Sequence, residues 1–393
     1  MKILFVTCRL PYPPLKGDQL RAFHQLRLLS RGHDVDLVCL AIDPPQVDQI
    51  AELKRFVRRL EVVPLHRWSI VRNAVLSVPS RLPVQVGIFQ SRDLNDTITR
   101  LMRENKYDIA HVQLARMYDT LSRIRGLPLI CDFVDALSEN MKRRANSDRP
   151  PLNWMARIES RRMSELEADI VKRCAATVIV SERDAEAIRA EPRPVVIPNG
   201  VDLEKFPYRP SVGRTGVVFS GNLGYFPNSD AAMHLIRDVM PLVWRKEPGL
   251  AVVLAGANPP RSLWRVASGR PVQITGFVPD MGSVIAAAAV TAIPLRAGSG
   301  LQNKVLEAMA SGVPIICYPR AVEGIPNFVP DIHGIVVRTP QEMAEKILSV
   351  LRVREEAERL ARAGRDLVER LYGWEASVGM LENLYVRVCE RLR

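Results

Sequence analysis

Residues 290–318 place a short apolar strand, a glycine-containing loop and a helix directly after one another. The strand is predicted over residues 290–294, the loop over 296–300, and the helix ends near Gly312. Backbone N–H groups in such a loop and the positive end of the helix dipole both attract an anion. This order therefore predicts an α/β protein with a phosphate site at the loop.

Polar residues on the predicted helix could complete that site. Asn303, Lys304 and Glu307 are three or four positions apart, so they share one side and are expected to face outward. Arg296 and Lys304 flank the loop and could hold a diphosphate, while Glu307 could accept hydrogen bonds from sugar hydroxyl groups. The alternative is an ordinary surface ion pair after a connecting turn.

A family resemblance rests on residues 306–315, which read Leu-Glu-Ala-Met-Ala-Ser-Gly-Val-Pro-Ile. They resemble the signature of the GT4 family of retaining, nucleotide-sugar-dependent glycosyltransferases. The resemblance implies the GT-B fold, in which two Rossmann-like domains with parallel sheets face each other across a cleft. It also implies that Glu307 binds the ribose of the donor nucleotide. Ser299 replaces a second glutamate that the family usually has eight residues earlier.

The 393 residues and two α/β halves predict two domains. A strand, a loop, a helix and a strand form a βαβ unit near the start. An Asn-Gly turn followed by prolines, similar to the family's domain junction, predicts a linker. The predicted regions are an acceptor-binding domain at 1–198, a linker at 199–212, a nucleotide-sugar-binding domain at 213–373 and a returning helix at 374–393. Single helical regions are predicted over 136–173 and 340–371.

Residues 108–113, Asp-Ile-Ala-His-Val-Gln, resemble the family's D-x-x-H-x-H segment. In the family the second histidine usually lies near the reacting centre; here Gln113 occupies that place and His111 is kept. We predict a catalytic role for His111, with a hydrogen-bonded structural histidine as the alternative. Gly17 matches one glycine of the family's usually paired motif after the first strand, which implies a donor contact.

Two carboxylates follow the strand over residues 129–132. If the strand continued, Asp132 and Asp135 would lie on different faces, although a turn could bring them together. A metal site is one interpretation. The other, which we favour, is that Asp135 contacts the acceptor and that cations and helix dipoles stabilise the leaving diphosphate without a metal.

Donor contacts are also predicted at two further strand ends. Many family members have an arginine and a lysine after the glycine that matches Gly221, whereas Asn222 and Asn228 stand here. Neutral amides cannot balance phosphate charge, so Arg296 and Lys304 are predicted to do so and, with His111, to be the catalytic residues. The predicted donor-binding residues are Gly17, Gly221, Asn222, Phe277, Val278, Gly298, Ser299, Gly300, Leu301, Lys304 and Glu307.

The formal net charge of +12 indicates either that the protein binds an anionic partner or that the charge keeps it in solution. Ten Lys and Arg but three acidic residues lie between Lys54 and Arg103, among apolar residues such as Trp68 and Val71. This mixture suits an anionic membrane surface or a lipid-diphosphate acceptor, with a solvated surface as the alternative. Nucleic acid ranks last because no known binding motif is found. The six scattered cysteines support neither disulfides nor zinc.

These patterns favour a metal-independent retaining transferase that moves a hexose from a nucleotide-diphosphate sugar, its co-substrate, to a hydroxyl of a lipid-linked saccharide. No other cofactor is expected. The proposed place is the cytoplasmic face of the cell membrane, in exopolysaccharide, capsule or lipopolysaccharide synthesis. A nucleotide-sugar epimerase of the same fold and a non-catalytic nucleotide-sugar-binding protein are the alternatives.

Overall fold

The chain folds as two compact units. The computed structural model describes residues 1–147, 150–210, 213–297 and 301–391. Unit 1 contains Met1–Asn199 and Ser377–Arg393, and unit 2 contains Gly200–Ala376. Unit 1 is therefore assembled from two separate stretches of sequence.

Each unit contains one sheet of parallel strands. The strands are β1 (Lys2–Thr7), β2 (Asp34–Ala41), β3 (Arg59–Pro64), β4 (Ile109–Gln113), β5 (Leu129–Asp132), β6 (Ala176–Ile179), β7 (Val195–Val196), β8 (Val217–Ser220), β9 (Val252–Ala255), β10 (Val272–Gly276), β11 (Val290–Ile293), β12 (Ile315–Cys317) and β13 (Ile335–Val336). The seven-stranded sheet of unit 1 has the order β3-β2-β1-β4-β5-β6-β7, and the six-stranded sheet of unit 2 has the order β10-β9-β8-β11-β12-β13. The prediction of two parallel α/β sheets is confirmed.

Helices connect the strands. They are α1 (Gly17–Leu29), α2 (Val47–Lys54), α3 (Arg67–Ser77), α4 (Val84–Gly87), α5 (Arg92–Glu104), α6 (Tyr118–Arg123), α7 (Leu137–Ser147), α8 (Leu152–Arg173), α9 (Glu182–Ala187), α10 (Phe226–His234), α11 (Met240–Trp244), α12 (Arg261–Ala267), α13 (Met281–Ala287), α14 (Asn303–Ala310), α15 (Pro340–Arg352), α16 (Arg354–Leu371) and α17 (Trp374–Glu390). Across the described ranges, none of these helices has both the length and the apolar character to span a bilayer.

The central strands are buried on both faces, as parallel sheets covered by helices require. In β1, the residues Ile3, Leu4, Phe5 and Val6 are all fully buried. Such strands appear in the sequence as continuous apolar runs rather than as alternating ones. In each sheet, all strands therefore end at the same edge. Ligand-binding residues can gather in the loops that follow the strands there.

Two predicted helical regions are each divided in the structure. The region expected as one helix over 340–371 breaks at Val353, which has an extended backbone with φ −108° and ψ 91°. The region expected to be helical over 136–173 contains α7 and α8, and α8 begins directly after Pro151. The prediction of one long helix over 340–371 was wrong because charge and apolar spacing continue across Val353 while the helical backbone does not.

Gly200 allows the chain to pass very close to the start of α17. A Cβ atom on Gly200 would lie 2.4 Å from both the N and the Cα of Trp374, whose side chain is fully buried. Gly200→Ala should therefore lower the free energy of unfolding by about 1–3 kcal/mol, because backbone atoms cannot yield cheaply. Urea denaturation measures this change.

Gly249→Ala is the matched control. A Cβ atom there would meet nothing within 4 Å, so stability should change by less than about 1 kcal/mol. Equal destabilisation by the two substitutions would contradict this account of Gly200.

Candidate functional site

Lys304 lies across the glycine that follows β8. A Cβ atom on Gly221 would lie 3.2 Å from Lys304 Cε and 3.0 Å from Asn228 Nδ2, and Gly221 has a φ of +144°. Only glycine suits both the conformation and the close approach. Asn228 also donates a 2.9 Å hydrogen bond to the Asn222 carbonyl, which fixes the loop after β8. Gly221 and Lys304, two of the predicted donor-binding residues, thus lie in contact, with Asn222 next to Gly221 in the chain.

Burial perturbs the two ionisable groups of α14. Lys304 is only 8% exposed, and burial lowers its pKa to about 8, with Glu307 acting in the opposite direction. Burial likewise raises the pKa of Glu307 to about 7, opposed by Lys304. Lys304 Nζ donates to Oε1 of Gln302, the residue just before α14, at 3.1 Å. An anion placed beside Lys304 would stabilise its charged form strongly, because little water screens it.

The expectation that Lys304 faces outward was wrong. The side chain is buried, and Gly221, just after β8, packs against it. Glu307 is half-buried, and Leu301 packs partly against the core of unit 2. The predicted contacts Gly298, Ser299 and Gly300 lie outside the described residues, and α14 begins at Asn303.

Arg296 binds a carboxylate that the sequence did not suggest. Its Nε and Nη2 donate to Asp230 at 3.0 and 2.5 Å, across 66 residues of sequence. Arg296 and Asp230 line a cavity of about 260 Å³. Phe226, Ser262 and further residues of α10 complete its lining. Arg296 and Lys304 therefore have different partners here, and Arg296 would have to share or exchange Asp230 in order to hold a diphosphate.

A histidine, a tyrosine and a carboxylate form a second polar cluster in unit 2. His234 Nδ1 lies 2.5 Å from Asp238 Oδ2, and its Nε2 lies 3.0 Å from the Tyr318 hydroxyl. Burial raises the pKa of Tyr318 to about 12, so the hydroxyl stays neutral. A π-helical turn, Leu235–Val239, places Asp238 one turn after His234. Sequence analysis missed this cluster: His234 and Asp238 have the spacing of a helical pair, but Tyr318 lies 84 residues after His234 in the chain.

Phe277 and Val278 follow β10. Phe277 is 75% exposed, and Val278 is half-buried. Asp280 then caps α13 by accepting from the Ser283 amide at 3.0 Å. An exposed aromatic ring at the end of a strand can stack on a planar ligand. The predicted base contact therefore stays a prediction, with an accessible ring to support it.

His111 lies in the interior of unit 1. It is fully buried, stacks on Phe5 with 4.3 Å between ring centroids, and its Nδ1 lies 2.6 Å from the Tyr385 hydroxyl. Burial lowers the pKa of His111 to about 4, although Asp132 opposes the shift. The ring is therefore neutral near pH 7 and offers no surface to a substrate in this conformation. Its predicted catalytic role remains untested.

Asp132 is part of a buried ion pair rather than an open site. Arg21 Nε donates to Asp132 Oδ2 at 2.6 Å, and both side chains are fully buried. Gln25 donates to the same oxygen at 3.0 Å. Although burial acts against it, Arg21 holds the pKa of Asp132 below its usual range. In the described part of the chain, no three His, Cys, Asp or Glu side chains converge as a metal site.

Other predicted residues of unit 1 lie near its loops. Gly17 is exposed at the start of α1, and Gln113 Nε2 donates to the neighbouring Asp18 carbonyl at 3.0 Å. Asp135 is exposed after β5. The surrounding protein partly desolvates its carboxyl group and, together with Asp184, raises its pKa. Gln113, at the place of the family's second histidine, thus fixes the start of α1.

Two family profiles match the chain. One is described as Glycosyl transferases group 1 and matches residues 214–352. The other is described as Glycosyltransferase Family 4 and matches residues 26–205. No curated protein sequence matches significantly.

Solved structures share the fold at low sequence identity. HepE of Anabaena, in complex with UDP, is 15% identical with a TM-score of 0.65, over 98% of this chain and 100% of HepE. Sucrose-phosphate synthase of Thermosynechococcus elongatus is 16% identical with a TM-score of 0.65, over 99% of each chain. WaaG, a glycosyltransferase involved in lipopolysaccharide biosynthesis, is 13% identical with a TM-score of 0.59, over 96% of this chain and 99% of WaaG. These similarities confirm the predicted GT-B fold.

The pKa of Lys304 predicts how anion binding depends on pH. Lys304 carries its charge below about pH 8 and loses it as the pH rises. The affinity for a nucleoside diphosphate should therefore fall about tenfold between pH 7 and pH 9. Calorimetric titration across this range provides the measurement.

Two variants separate this effect from titration elsewhere. Lys304→Arg keeps a charge throughout and should show a nearly flat profile, while Lys304→Ala should bind weakly at every pH. If Lys304→Arg retained the wild-type pH dependence, another group would be responsible.

Burial of neutral His111 predicts a loss of stability in acid. The unfolded histidine takes up a proton below its ordinary pKa of 6.5, whereas the folded one does so only near 4. Folding therefore loses about 2–3 kcal/mol from this group between pH 7.5 and pH 4.5. Urea denaturation at the two pH values should show a smaller loss for His111→Gln than for the wild type.

The same variant examines the predicted catalytic role. Unchanged turnover in folded His111→Gln would exclude it. Identical losses of stability in wild type and variant would instead contradict the buried, neutral state.

Proposed function

Because the chain belongs to the group 1 and family 4 glycosyltransferases, we propose that it moves a hexose from a nucleotide-diphosphate sugar to a hydroxyl group of a lipid-linked saccharide. The anomeric configuration is retained, and no metal takes part. The observation that carries the proposal is the buried Lys304 ammonium group lying against Gly221 at the end of β8.

Unit 2 would bind the donor. Lys304 offers the charge for the diphosphate, and Asn222 and Gly221 lie in the loop beside it. Glu307, three residues after Lys304 on α14, can accept from ribose hydroxyl groups when it is ionised. The bound UDP in HepE supports a nucleoside diphosphate as the ligand class. Phe277 would cover one face of the base.

The departing nucleoside diphosphate needs stabilisation as the bond between it and the sugar of the donor breaks. Negative charge grows on the oxygen between the sugar and the phosphate, and a preset cation stabilises that growth. Lys304 supplies a charge that needs little rearrangement. Arg296 would add a second charge if the diphosphate replaced part of its contact with Asp230.

Unit 1 would bind the acceptor. Asp135 is exposed after β5 and has a raised pKa, so it can accept a hydrogen bond from a sugar hydroxyl group. WaaG is involved in lipopolysaccharide biosynthesis, and its structural similarity to this chain supports a lipid-linked saccharide as the acceptor. The basic, partly apolar stretch of unit 1 supports a peripheral place at the cytoplasmic face of the membrane.

Thermal unfolding with a panel of nucleotide-sugars tests the donor. One nucleotide-sugar should raise the melting temperature, because it binds only the folded state. Lys304→Ala should reduce that shift and weaken donor affinity by about tenfold or more, while acceptor affinity stays nearly unchanged. Product analysis with lipid-linked acceptors then shows transfer and the anomeric configuration.

Three outcomes would refute the proposal. Wild-type donor affinity in Lys304→Ala would remove the assigned anion site. A new nucleotide-sugar formed without acceptor would indicate an epimerase. Donor binding without transfer or slow hydrolysis would indicate a non-catalytic binding protein.

A further inference from the structure

We propose that α3 and the first turns of α8 form one surface that docks onto an anionic lipid bilayer. We call this the α3–α8 surface: Trp68, Val71, Val75, Leu76, Val78, Leu152, Trp154, Met155 and Ile158. All nine are exposed large apolar residues. The inference rests on the proposed function, because a lipid-linked acceptor places its sugar at a bilayer surface.

Helix α3 exposes its apolar side. Trp68, Val71 and Val75 are three or four residues apart, so they lie along one side, and Trp68 is 67% exposed. The inward side holds two buried polar residues, Asn73 and Ser77, beside Ile70, which packs partly against the core of unit 1. Most of the large apolar residues of α3 are therefore left uncovered, unlike those of a helix whose apolar side packs on a core.

Polar and close contacts hold α3 in this orientation. Asn73 Nδ2 donates to the Gln90 carbonyl at 3.0 Å, and Ser77 Oγ donates to the Asn73 carbonyl at 2.7 Å. A Cβ atom on Gly87 would lie 1.6 Å from Ser77 Oγ, so α3 and α4 are in close contact. The bond within α3 would survive a rotation of the helix, but the bond to Gln90 and the close contact with α4 would be lost if the apolar residues turned inward.

Helix α8 continues the same surface. Arg162 Nη2 donates to the Val78 carbonyl at 3.3 Å, just after the end of α3. Ile158 is one helical turn before Arg162, so it lies on the same side of α8. Trp154 is one further turn back and is 64% exposed. The bond from Arg162 therefore links the end of α3 to the side of α8 that carries Ile158.

The sequence of α3 and of the turn after it is basic. No aspartate or glutamate occurs between Glu61 and Asp93, while Arg67 and Arg72 lie in α3 and Arg81 follows it; Arg67 is paired with Asp43 at 2.8 Å. The guanidinium carbon of Arg72 lies 5.5 Å from the ring centroid of Trp68, so the positive charge and the indole ring lie side by side. Arginine with tryptophan suits the boundary of a bilayer, where phosphates lie beside acyl chains.

These features favour an anionic bilayer over a second copy of this chain. An interface between two copies related by two-fold symmetry brings the same surface together with itself, so the arginines of α3 would face each other. A bilayer with anionic headgroups instead complements them, because each arginine near its surface is attracted to the lipid phosphates. Exposed apolar patches of this kind mark interaction sites.

Co-sedimentation with vesicles tests the surface. One set contains phosphatidylcholine with about a third phosphatidylglycerol, and the other contains phosphatidylcholine alone. Trp68→Ser with Trp154→Ser should reduce binding to the anionic vesicles by about tenfold, as should Arg72→Glu with Arg81→Glu. Added salt should weaken wild-type binding, because the arginine contribution is screened.

The matched control lies on α12 in unit 2, where Trp264 and Arg265 are exposed. Trp264→Ser with Arg265→Glu should bind the vesicles as the wild type does. All three double variants should keep the wild-type melting temperature and the shift produced by a nucleotide-sugar. These two measurements report folding and donor binding independently of the membrane.

Wild-type vesicle binding in both α3–α8 variants would overturn the proposal, as would equal binding to the two vesicle sets. A dimer that sedimentation detects and that these substitutions dissociate would also overturn it, because the surface would then join two copies. Failure of the proposed function would appear separately, as loss of nucleotide-sugar binding or transfer in the wild-type protein.

Discussion

The ammonium group of Lys304 is largely removed from water, and the chemistry assigned to unit 2 depends on this placement. A desolvated cation gains more from an anionic partner than an exposed one, since little solvent screens the attraction. Gly221 makes the placement possible, because any side chain there would occupy the space of Lys304 Cε. The same contact explains both the lowered pKa and the affinity for phosphate that we infer.

The two units use buried charge differently. In unit 1, Arg21 and Asp132 neutralise each other at 2.6 Å, and His111 is bound by Tyr385. Groups paired with protein partners in this way hold elements of unit 1 together, although Arg21 Nη2 and His111 Nε2 make no hydrogen bond within the described residues. In unit 2, Lys304 donates to the neutral amide oxygen of Gln302 and has only an electrostatic interaction with Glu307, so an incoming anion could still form the first direct ion pair with it. The contrast supports donor binding in unit 2 on electrostatic grounds.

Local sequence patterns predicted the fold better than they predicted the site. Continuous apolar runs, such as residues 3–6, indicated buried parallel strands because burial on both faces leaves no alternation. The exposure of Lys304 was predicted wrongly because the spacing of residues on α14 carries no information about Gly221. That residue lies on a distant part of the chain and packs against the Lys304 side chain. The partners of Arg296 and His111 lie 66 and 274 residues away, and no local pattern identifies them. The break at Val353 likewise depends on backbone conformation that composition does not reveal.

The discontinuity of unit 1 limits how this protein can be divided or recombined. Its sheet comes from the first 199 residues, but Tyr385, which binds His111, arrives with the last 17. A fragment that stops at Asn199 would leave an imidazole nitrogen in the interior without its hydroxyl partner. Exchange of the donor-binding half between relatives therefore requires two fusion points, one at each passage of the backbone between the units. A single crossover would give a hybrid whose interior combines parts of two parents.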